Sequence, residues 1–157
     1  MDGFVATFTN RLDQKGRVSV PAPFRGVLAR EGQDGLYCYP ALDRPAIDGG
    51  GARLMQAIAD RLSIFETFSE DHESLSTAFY GESRLLKIDP DGRVVLPPEF
   101  RDYAGIDDTA LFVGQGFKFQ IWQPDRFAER QAETRAHLRS VTHGLGRANL
   151  TNRGEQA

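Results

Sequence analysis

Short runs in which apolar and polar residues alternate make up much of this chain, a pattern typical of strands with one buried face. Pro, Gly, Asp and Asn interrupt these runs at close intervals, as expected for turns. The alternation predicts strands at 4–8, 17–20, 36–39, 85–88, 93–96, 111–113 and 117–122. Two proline-led runs predict short helices at 23–30 and 98–103.

The middle of the chain changes to helical spacing. Apolar residues recur there at Leu54, Ile58, Leu62 and Phe65, and the spacing resumes at 75 and 79, which predicts two packed helices. This stripe belongs either to the core or to a subunit interface. Residues 43–52 contain a proline and three glycines, so we expect a loop that separates two lobes. Residues 124–138 predict a polar helix, and we expect a mobile tail after it.

One segment occurs twice. Residues 13–25 and 89–101 share Asp, Gly, Arg, Val, Pro, Phe and Arg at a constant offset of 76 positions. A coincidence of this extent indicates two copies of one supersecondary unit. We therefore predict a β-dominated α+β protein whose two pseudo-symmetric units interleave their hairpins into a small β-barrel with flanking helices. The predicted divisions are a first unit (4–54), a helical connector (55–82), a second unit (83–126) and a C-terminal helix with its tail (127–157).

Turn chemistry accounts for part of this recurrence. Asp13 and Asp89 can accept hydrogen bonds from amides ahead of them, and Gly16 and Gly92 can adopt the positive φ of a hairpin turn. The turn itself has no need for the arginine that follows each glycine. That residue serves either as an ion-pair partner of the aspartate or as part of a binding surface.

Binding to nucleic acid is the functional interpretation of the two arginines. Arg17 and Arg93, placed on one face and oriented by their aspartates, would present planar guanidinium groups to phosphates or to guanine edges. Arg11 and Lys15 would add phosphate contacts in the first unit. Because Asp91 takes the place of Lys15 in the second copy, we expect the first unit to bind more strongly.

The doubled D-x-x-x-R motif, at 13–17 and at 89–93, resembles the MraZ family of bacterial transcriptional regulators. The similarity extends from residue 4 to residue 127 and includes L-D-Q-K-G-R-V-S-V-P and L-F-V-G-Q-G-F-K-F-Q-I-W. The resemblance implies two tandem SpoVT-AbrB-type domains with a swapped-hairpin barrel, and a ring-shaped homo-oligomer. It also implies binding to repeated promoter boxes upstream of the cell division and cell wall gene cluster. We expect repression of transcription.

Overall charge agrees only weakly with this function. The net charge is −3 and the pI is about 5.6, but residues 1–25 carry four cations against two carboxylates, whereas residues 48–76 carry two cations against six. A binding face needs only a local excess of positive charge. In a ring, linked copies that meet regularly spaced boxes would also gain avidity.

Enzymatic alternatives find little support in the sequence. A dyad of Asp13 and Asp89 would be kept ionised by the neighbouring arginines, Cys38 lies in an apolar run typical of a core, and 114–116 lacks the Lys-Ser/Thr of a phosphate loop. The histidines at 72, 137 and 143 lack metal-ligand spacing. We therefore expect no enzyme activity, metal, cofactor or small-molecule substrate.

The apolar content and the cysteine count bear on where in the cell the protein acts. No apolar run approaches the ~20 residues of a membrane span, and a single cysteine permits no internal disulfide. We expect a cytoplasmic, nucleoid-associated protein.

The alternative function is an oligomeric protein-binding module of the same superfold that does not contact DNA.

Overall fold

The computed structural model describes residues 3–155, with side chains up to residue 145. Two compact units make up the chain, one ending at Pro124 and one beginning at Asp125. The strands of the first unit are β1 (Thr7–Arg11), β2 (Arg17–Ser19), β3 (Gly35–Pro40), β4 (Ile47–Gly50), β5 (Arg84–Lys87), β6 (Arg93–Val95), β7 (Thr109–Gly114) and β8 (Phe119–Trp122). The helices are α1 (Ala22–Arg30), α2 (Ala52–Leu62), α3 (Glu70–Ser76), α4 (Pro98–Ala104) and α5 (Pro124–Glu155), and a π-helical turn (Thr77–Gly81) follows α3.

Local sequence explains where the helices begin and end. Pro23 and Pro98 lie in the first turns of α1 and α4, where the missing amide hydrogen costs little. Gly105 ends α4 in the left-handed conformation, with φ at 67°. The Ser69 hydroxyl caps α3 by accepting a hydrogen bond from the His72 amide at 3.2 Å.

The two repeats share their sheets. A six-stranded antiparallel sheet has the order β1-β7-β8-β4-β3-β5, and β2 pairs with β6 in a second, two-stranded ladder. Strands of the first repeat therefore pair with strands of the second at β1/β7, β4/β8, β3/β5 and β2/β6. The α+β prediction is confirmed. The ladders leave β1 and β5 at the two edges of the larger sheet, so they do not themselves form the closed barrel of the prediction.

Strand register shows the symmetry of the repeats. Val18 lies opposite Val94 in the β2/β6 ladder, with Arg17 opposite Val95 and Ser19 opposite Arg93. When each residue is replaced by its equivalent in the other repeat, the list of pairs stays the same. The β4/β8 ladder has the same symmetry, with residues 48 and 120 as its central pair. A pseudo-twofold axis therefore passes through both ladders.

Two apolar clusters lie on opposite faces of β3, because successive side chains of a strand point to opposite sides. The main core contains Cys38 and a group of packed aromatic rings, with the Phe24 ring centroid 5.2 Å from Phe4 and 4.9 Å from Phe119. The second cluster joins Tyr37 and Tyr39 to the buried α2 side chains Leu54, Ile58 and Leu62. Burial of Cys38, Phe119 and Trp122 confirms their predicted core positions, and burial of the three α2 side chains assigns that part of the stripe to the core.

The largest differences from the predicted elements are at three places. The expected loop at 43–52 contains strand β4, because its glycines permit close packing: a Cβ on Gly50 would lie 2.9 Å from the Leu54 Cβ. Strand β1 begins at residue 7 rather than 4, after Ala6 adopts a φ of 72°. Helix α5 extends beyond residue 138 to Glu155. Mobility of the tail stays a prediction, and its residues 156 and 157 lie outside the described residues.

Candidate nucleic-acid interface

Both copies of the repeated turn have the same hydrogen bonds. Asp13 Oδ1 accepts hydrogen bonds from the Lys15 and Arg17 amides, each at 2.9 Å, and Gly16 adopts a φ of 80°. Asp89 Oδ1 likewise accepts from the amides of residues 91 and 93 at 2.9 Å, and residue 92 has a φ of 81°. The aspartate and glycine therefore have the turn roles that the sequence predicts.

Each arginine is oriented by the aspartate of its own turn. Arg17 Nε donates to Asp13 Oδ2 at 2.6 Å, and Arg93 Nε donates to Asp89 Oδ2 at 3.3 Å. The arginine side chains remain 35% and 31% exposed. Contact through Nε leaves the terminal nitrogens of Arg17 without a partner among the described residues, so this guanidinium can still donate to a ligand.

Pairing of β2 with β6 brings the two arginines to one face. Val18 and Val94 are buried, so the alternation of the strands places their neighbours on the opposite, outward face. That face carries Arg17 and Arg93, each diagonal to the other across the ladder, with Ser19 and Val95 exposed beside them. We call this surface the arginine face. The sequence predicts that the two arginines share a surface, and the ladder has this arrangement.

The turn carboxylates are held in their ionised form. Hydrogen bonding from the Arg17 amide is the largest cause that lowers the pKa of Asp13, and the Arg17 side chain adds to it, although partial burial opposes the shift. The pKa of Asp89 is lowered in the same way, first by the Arg93 amide. Ionised carboxylates cannot donate a proton at neutral pH, which argues against an aspartic dyad.

Of the two supporting cations, only Lys15 is particular to the first turn, because Arg11 at the end of β1 corresponds to the exposed Lys87 at the end of β5. Lys15 is exposed at its tip, and Arg11, also exposed, ends β1 next to Leu12, which bridges to Val18. In the second turn Asp91 replaces the lysine and accepts a hydrogen bond from Arg93 Nη2 at 3.2 Å. The first turn therefore combines one carboxylate with two cations, and the second turn combines two carboxylates with one cation.

Two further arginines support the turns, and their role is absent from the sequence prediction. Arg25 Nη1 donates to the Val20 carbonyl at 2.6 Å, and a Cβ added to Gly92 would lie 2.5 Å from this nitrogen. Arg101 makes the equivalent contacts with the Leu96 carbonyl, at 3.2 Å, and with the glycine of the first turn. Each repeat therefore supports the turn of the other. Recurrence of both arginines in the repeat is the sequence signal for this role.

The remaining candidate residues form no alternative site. Burial raises the pKa of the Cys38 thiol, whose Sγ contacts the Arg84 carbonyl at 3.6 Å. Gly114 ends β7, and the turn that follows it, over 115–118, is closed by a hydrogen bond from the Gln115 amide to the Lys118 carbonyl at 2.9 Å. Within residues 3–155, no group of three or more His, Cys, Asp or Glu side chains could hold a metal ion. No helix in the same range is both long and apolar enough to cross a membrane.

The known proteins to which this chain is similar share one family description. A family model described as "MraZ protein, putative antitoxin-like" matches residues 79–145. A transcriptional regulator MraZ of Xanthobacter autotrophicus is 49% identical over 146 residues, which cover 93% of each chain. The protein of the same name from Beijerinckia indica is 51% identical over 92% of this chain and 88% of its own length. The one from Rhizobium meliloti is 40% identical over 86% of this chain and 92% of its own.

These names describe regulators of transcription rather than enzymes. The matched lengths, 146 and 145 residues of this chain, are long enough to include both copies of the turn. Identity of about one half over nine tenths of two chains does not arise between unrelated folds. The chain therefore belongs to the MraZ family.

Proposed function

We propose that this protein is a transcriptional regulator that binds double-stranded DNA sequence-specifically through the arginine face. The observation that carries the proposal is the placement of Arg17 and Arg93 on one exposed surface, at matching positions about a pseudo-twofold axis. The names of the relatives agree with a role in transcription.

The chemistry of the face suits the major groove. A guanidinium presents parallel N–H donors that match the O6 and N7 acceptors of guanine, and each such pair contributes about 1–3 kcal/mol of discrimination against a wrong base. The aspartate occupies only Nε of Arg17, which leaves the fork of terminal nitrogens for the base. Lys15 and Arg11 would hold the adjacent phosphates, and their charge-based contribution falls steeply with salt.

Assembly is the second part of the proposal. We propose that the interleaved hairpins complete a swapped-hairpin barrel and that the subunits form a ring-shaped homo-oligomer. Several arginine faces in one particle could meet regularly repeated promoter boxes, which strengthens binding about 100-fold or more without new contacts. We further propose that these boxes lie upstream of the cell division and cell wall gene cluster, that binding represses transcription, and that the protein acts on the nucleoid in the cytoplasm.

A protein-binding module without a DNA role is the competing function. It would use the oligomeric surface and would have no need of two guanidinium groups held outward at equivalent positions. Replacement of both arginines discriminates between the two functions, because it removes the DNA contacts and leaves the sheets and helices intact.

The test uses a labelled DNA duplex from the region upstream of the gene for this protein. Gel shift and fluorescence anisotropy measure its binding. Arg17→Ala with Arg93→Ala should weaken binding by about 100-fold, in line with the loss of two base contacts. The control, Arg135→Ala with Arg139→Ala, removes the same charge from exposed positions of α5 and should change binding much less.

A charge-conserving variant separates base reading from simple attraction. Arg17→Lys with Arg93→Lys keeps the positive charge but loses the planar fork. We expect it to retain binding to random-sequence duplexes and to lose preference for the promoter boxes. If the double alanine variant binds the promoter duplex as tightly as the unmodified protein, the arginine face is not the DNA-binding surface.

A further inference from the structure

A cavity of about 560 Å³ opens beside α2, on the side of β3 that carries the second apolar cluster. The apolar part of its wall includes Tyr39, Ile58 and Phe79. The rim carries large apolar side chains in contact with solvent, Leu42 at 50% exposure and Phe117 at 38%. We call this the α2 cavity. Exposed apolar surface around a concave opening is characteristic of an interaction site.

The charged groups of the α2 cavity are largely paired, with one exception. Lys118 Nζ donates to Asp48 Oδ1 at 3.1 Å, and Arg44 Nε donates to Asp43 at 3.1 Å. Arg61, at the end of α2, has no ion-pair partner among the described side chains. The opening therefore has a local excess of positive charge and suits an apolar group with acidic neighbours.

The chain itself carries such a group. Phe68 lies between α2 and α3 with 85% of its surface exposed, and Ile64 in the same connection is 75% exposed. Phe68 also has a φ of 70°, a conformation that side-chain-bearing residues adopt at an energetic cost. Exposed carboxylates surround it at 66, 70, 71 and 73. We call residues 63–69 the Phe68 loop.

We propose that the Phe68 loop of one subunit docks into the α2 cavity of the neighbouring subunit. Phe68 would enter between the apolar walls, and the carboxylates beside it would face Arg61. An aromatic ring buries about 150–250 Å² in such a contact, and central aromatic anchors contribute much of the energy of an interface. Apolar fit and charge complementarity both select this partner.

The contact joins two different surfaces, so it is heterologous. Contacts of this type generate rings when the rotation between subunits closes. The inference rests on the homo-oligomeric state in the proposed function and assigns residues to its interface. In the described chain Phe68 does not enter the cavity of its own subunit, since it is 85% exposed.

Disulfide cross-linking between two singly substituted proteins tests the contact directly. Phe68→Cys and Leu42→Cys are prepared separately, mixed under dissociating conditions that are then reversed, and oxidised mildly. A disulfide requires Cα atoms about 4.4–6.8 Å apart, so only neighbours in contact can form it. The native Cys38 is fully buried and does not compete. We expect a covalent dimer in the mixture that exceeds the dimer in either protein alone.

A mixture of Phe68→Cys with Asp34→Cys, on the exposed turn between α1 and β3, is the control for random collision. If both mixtures give the same low yield, the Phe68 loop does not dock into the α2 cavity. Tryptic mapping of the product identifies the linked peptides, and a link through any other cysteine also overturns the proposal.

Particle mass gives a second, independent readout. Phe68→Ala should shift the particle measured by light scattering to smaller species, whereas Leu85→Ala, which removes another exposed side chain (69%), should not. Circular dichroism and thermal unfolding establish that both variants fold. An unchanged mass for Phe68→Ala, or a monomeric unmodified protein, overturns this inference.

A failure of the docking proposal can be distinguished from a failure of the proposed function. Binding to a duplex with a single box depends on Arg17 and Arg93, which are distant in sequence from the Phe68 loop. Phe68→Ala should therefore keep arginine-dependent binding to one box and lose the avidity for several boxes. Loss of single-box binding in the arginine variant together with an unchanged mass for Phe68→Ala would support DNA binding and reject only the docking contact.

Discussion

The guanidinium of Arg25, in the first repeat, packs against Gly92, in the turn of the second. A Cβ added to Gly92 would lie 2.5 Å from Arg25 Nη1 and 2.7 Å from its Cζ. Because Gly92 also has a φ of 81°, this glycine satisfies two requirements at once. It permits the left-handed turn, and it leaves room for the arginine of the other repeat.

Gly92→Ala should destabilise the fold by about 1–2 kcal/mol through its backbone conformation alone, with an added cost for displacement of Arg25. Gly16→Ala is the matched comparison, since it has the same conformation but its Cβ would lie 3.2 Å from the nearest Arg101 atom. Urea unfolding should rank Gly92→Ala as the less stable variant. Equal stabilities would contradict the close contact.

The unequal charge of the two turns predicts opposite effects of reciprocal substitutions on DNA binding. Asp91→Lys should strengthen binding and Lys15→Asp should weaken it, because each changes the number of cations available to phosphates. With Asp91→Lys, the slope of log K against log salt concentration should become steeper by about 0.9 for each additional phosphate group that is neutralised. With Lys15→Asp, it should become shallower by about 0.9 for each phosphate group that is no longer neutralised.

Glu129→Lys, which makes the same charge change in α5, is the control for Asp91→Lys. Titrations over a range of salt concentrations give both the affinity and the slope. If the control strengthens binding as much as Asp91→Lys does, the effect reflects net charge and not the turn.

Stability should depend on the turn aspartates in acidic solution. Folding lowers the pKa of both Asp13 and Asp89, so the folded state binds fewer protons than the unfolded state at low pH. Their contribution to stability is complete above the unfolded pKa of about 3.9. It declines as the pH falls through the lower folded pKa values.

The variant Asp13→Asn with Asp89→Asn lacks this contribution at every pH, although its amide oxygens can still accept the turn hydrogen bonds. The difference in the free energy of unfolding between the unmodified protein and this variant should therefore be largest at about pH 5–7 and shrink below about pH 4. Denaturant unfolding at each pH measures it. A difference that stays constant down to about pH 2.5 would show that the two carboxylates are not shifted.

The ion pair between Asp48 and Lys118, which both line the α2 cavity, predicts that the two side chains are energetically coupled. Lys118 Nζ lies 3.1 Å from Asp48 Oδ1, with side chains 16% and 12% exposed, and Gln120 Nε2 donates to the same oxygen at 2.9 Å. Lys118→Met leaves a largely buried carboxylate without its cation and should cost about 1–3 kcal/mol.

A double-mutant cycle with Asp48→Asn measures the coupling. Because Asn removes the buried charge, the double variant should be more stable than the sum of the single losses predicts, by about 0.5–3 kcal/mol. Additive losses within ~0.3 kcal/mol would mean that the two side chains contribute independently.

Particular elements show why some sequence predictions succeeded. The doubled turn was predictable because its hydrogen bonds join residues no more than four apart, such as Asp13 and Arg17. The apolar stripe of α2 was predictable because helical spacing directly reflects burial. Strand β4 was missed because its glycines suggest a loop when only neighbouring residues are considered, whereas they serve close packing against Leu54 and Phe119.

By itself, the sequence determined that the chain carries two equivalent turns, each with an aspartate that orients an arginine, since these interactions are local. Only the tertiary structure decided how Arg17 and Arg93 come to share one face, and that Arg25 and Arg101 each support the turn of the other repeat. Those relationships depend on the pairing of β2 with β6, strands that lie 76 positions apart. Register between distant strands is set by burial of Val18 against Val94, which a local pattern does not encode.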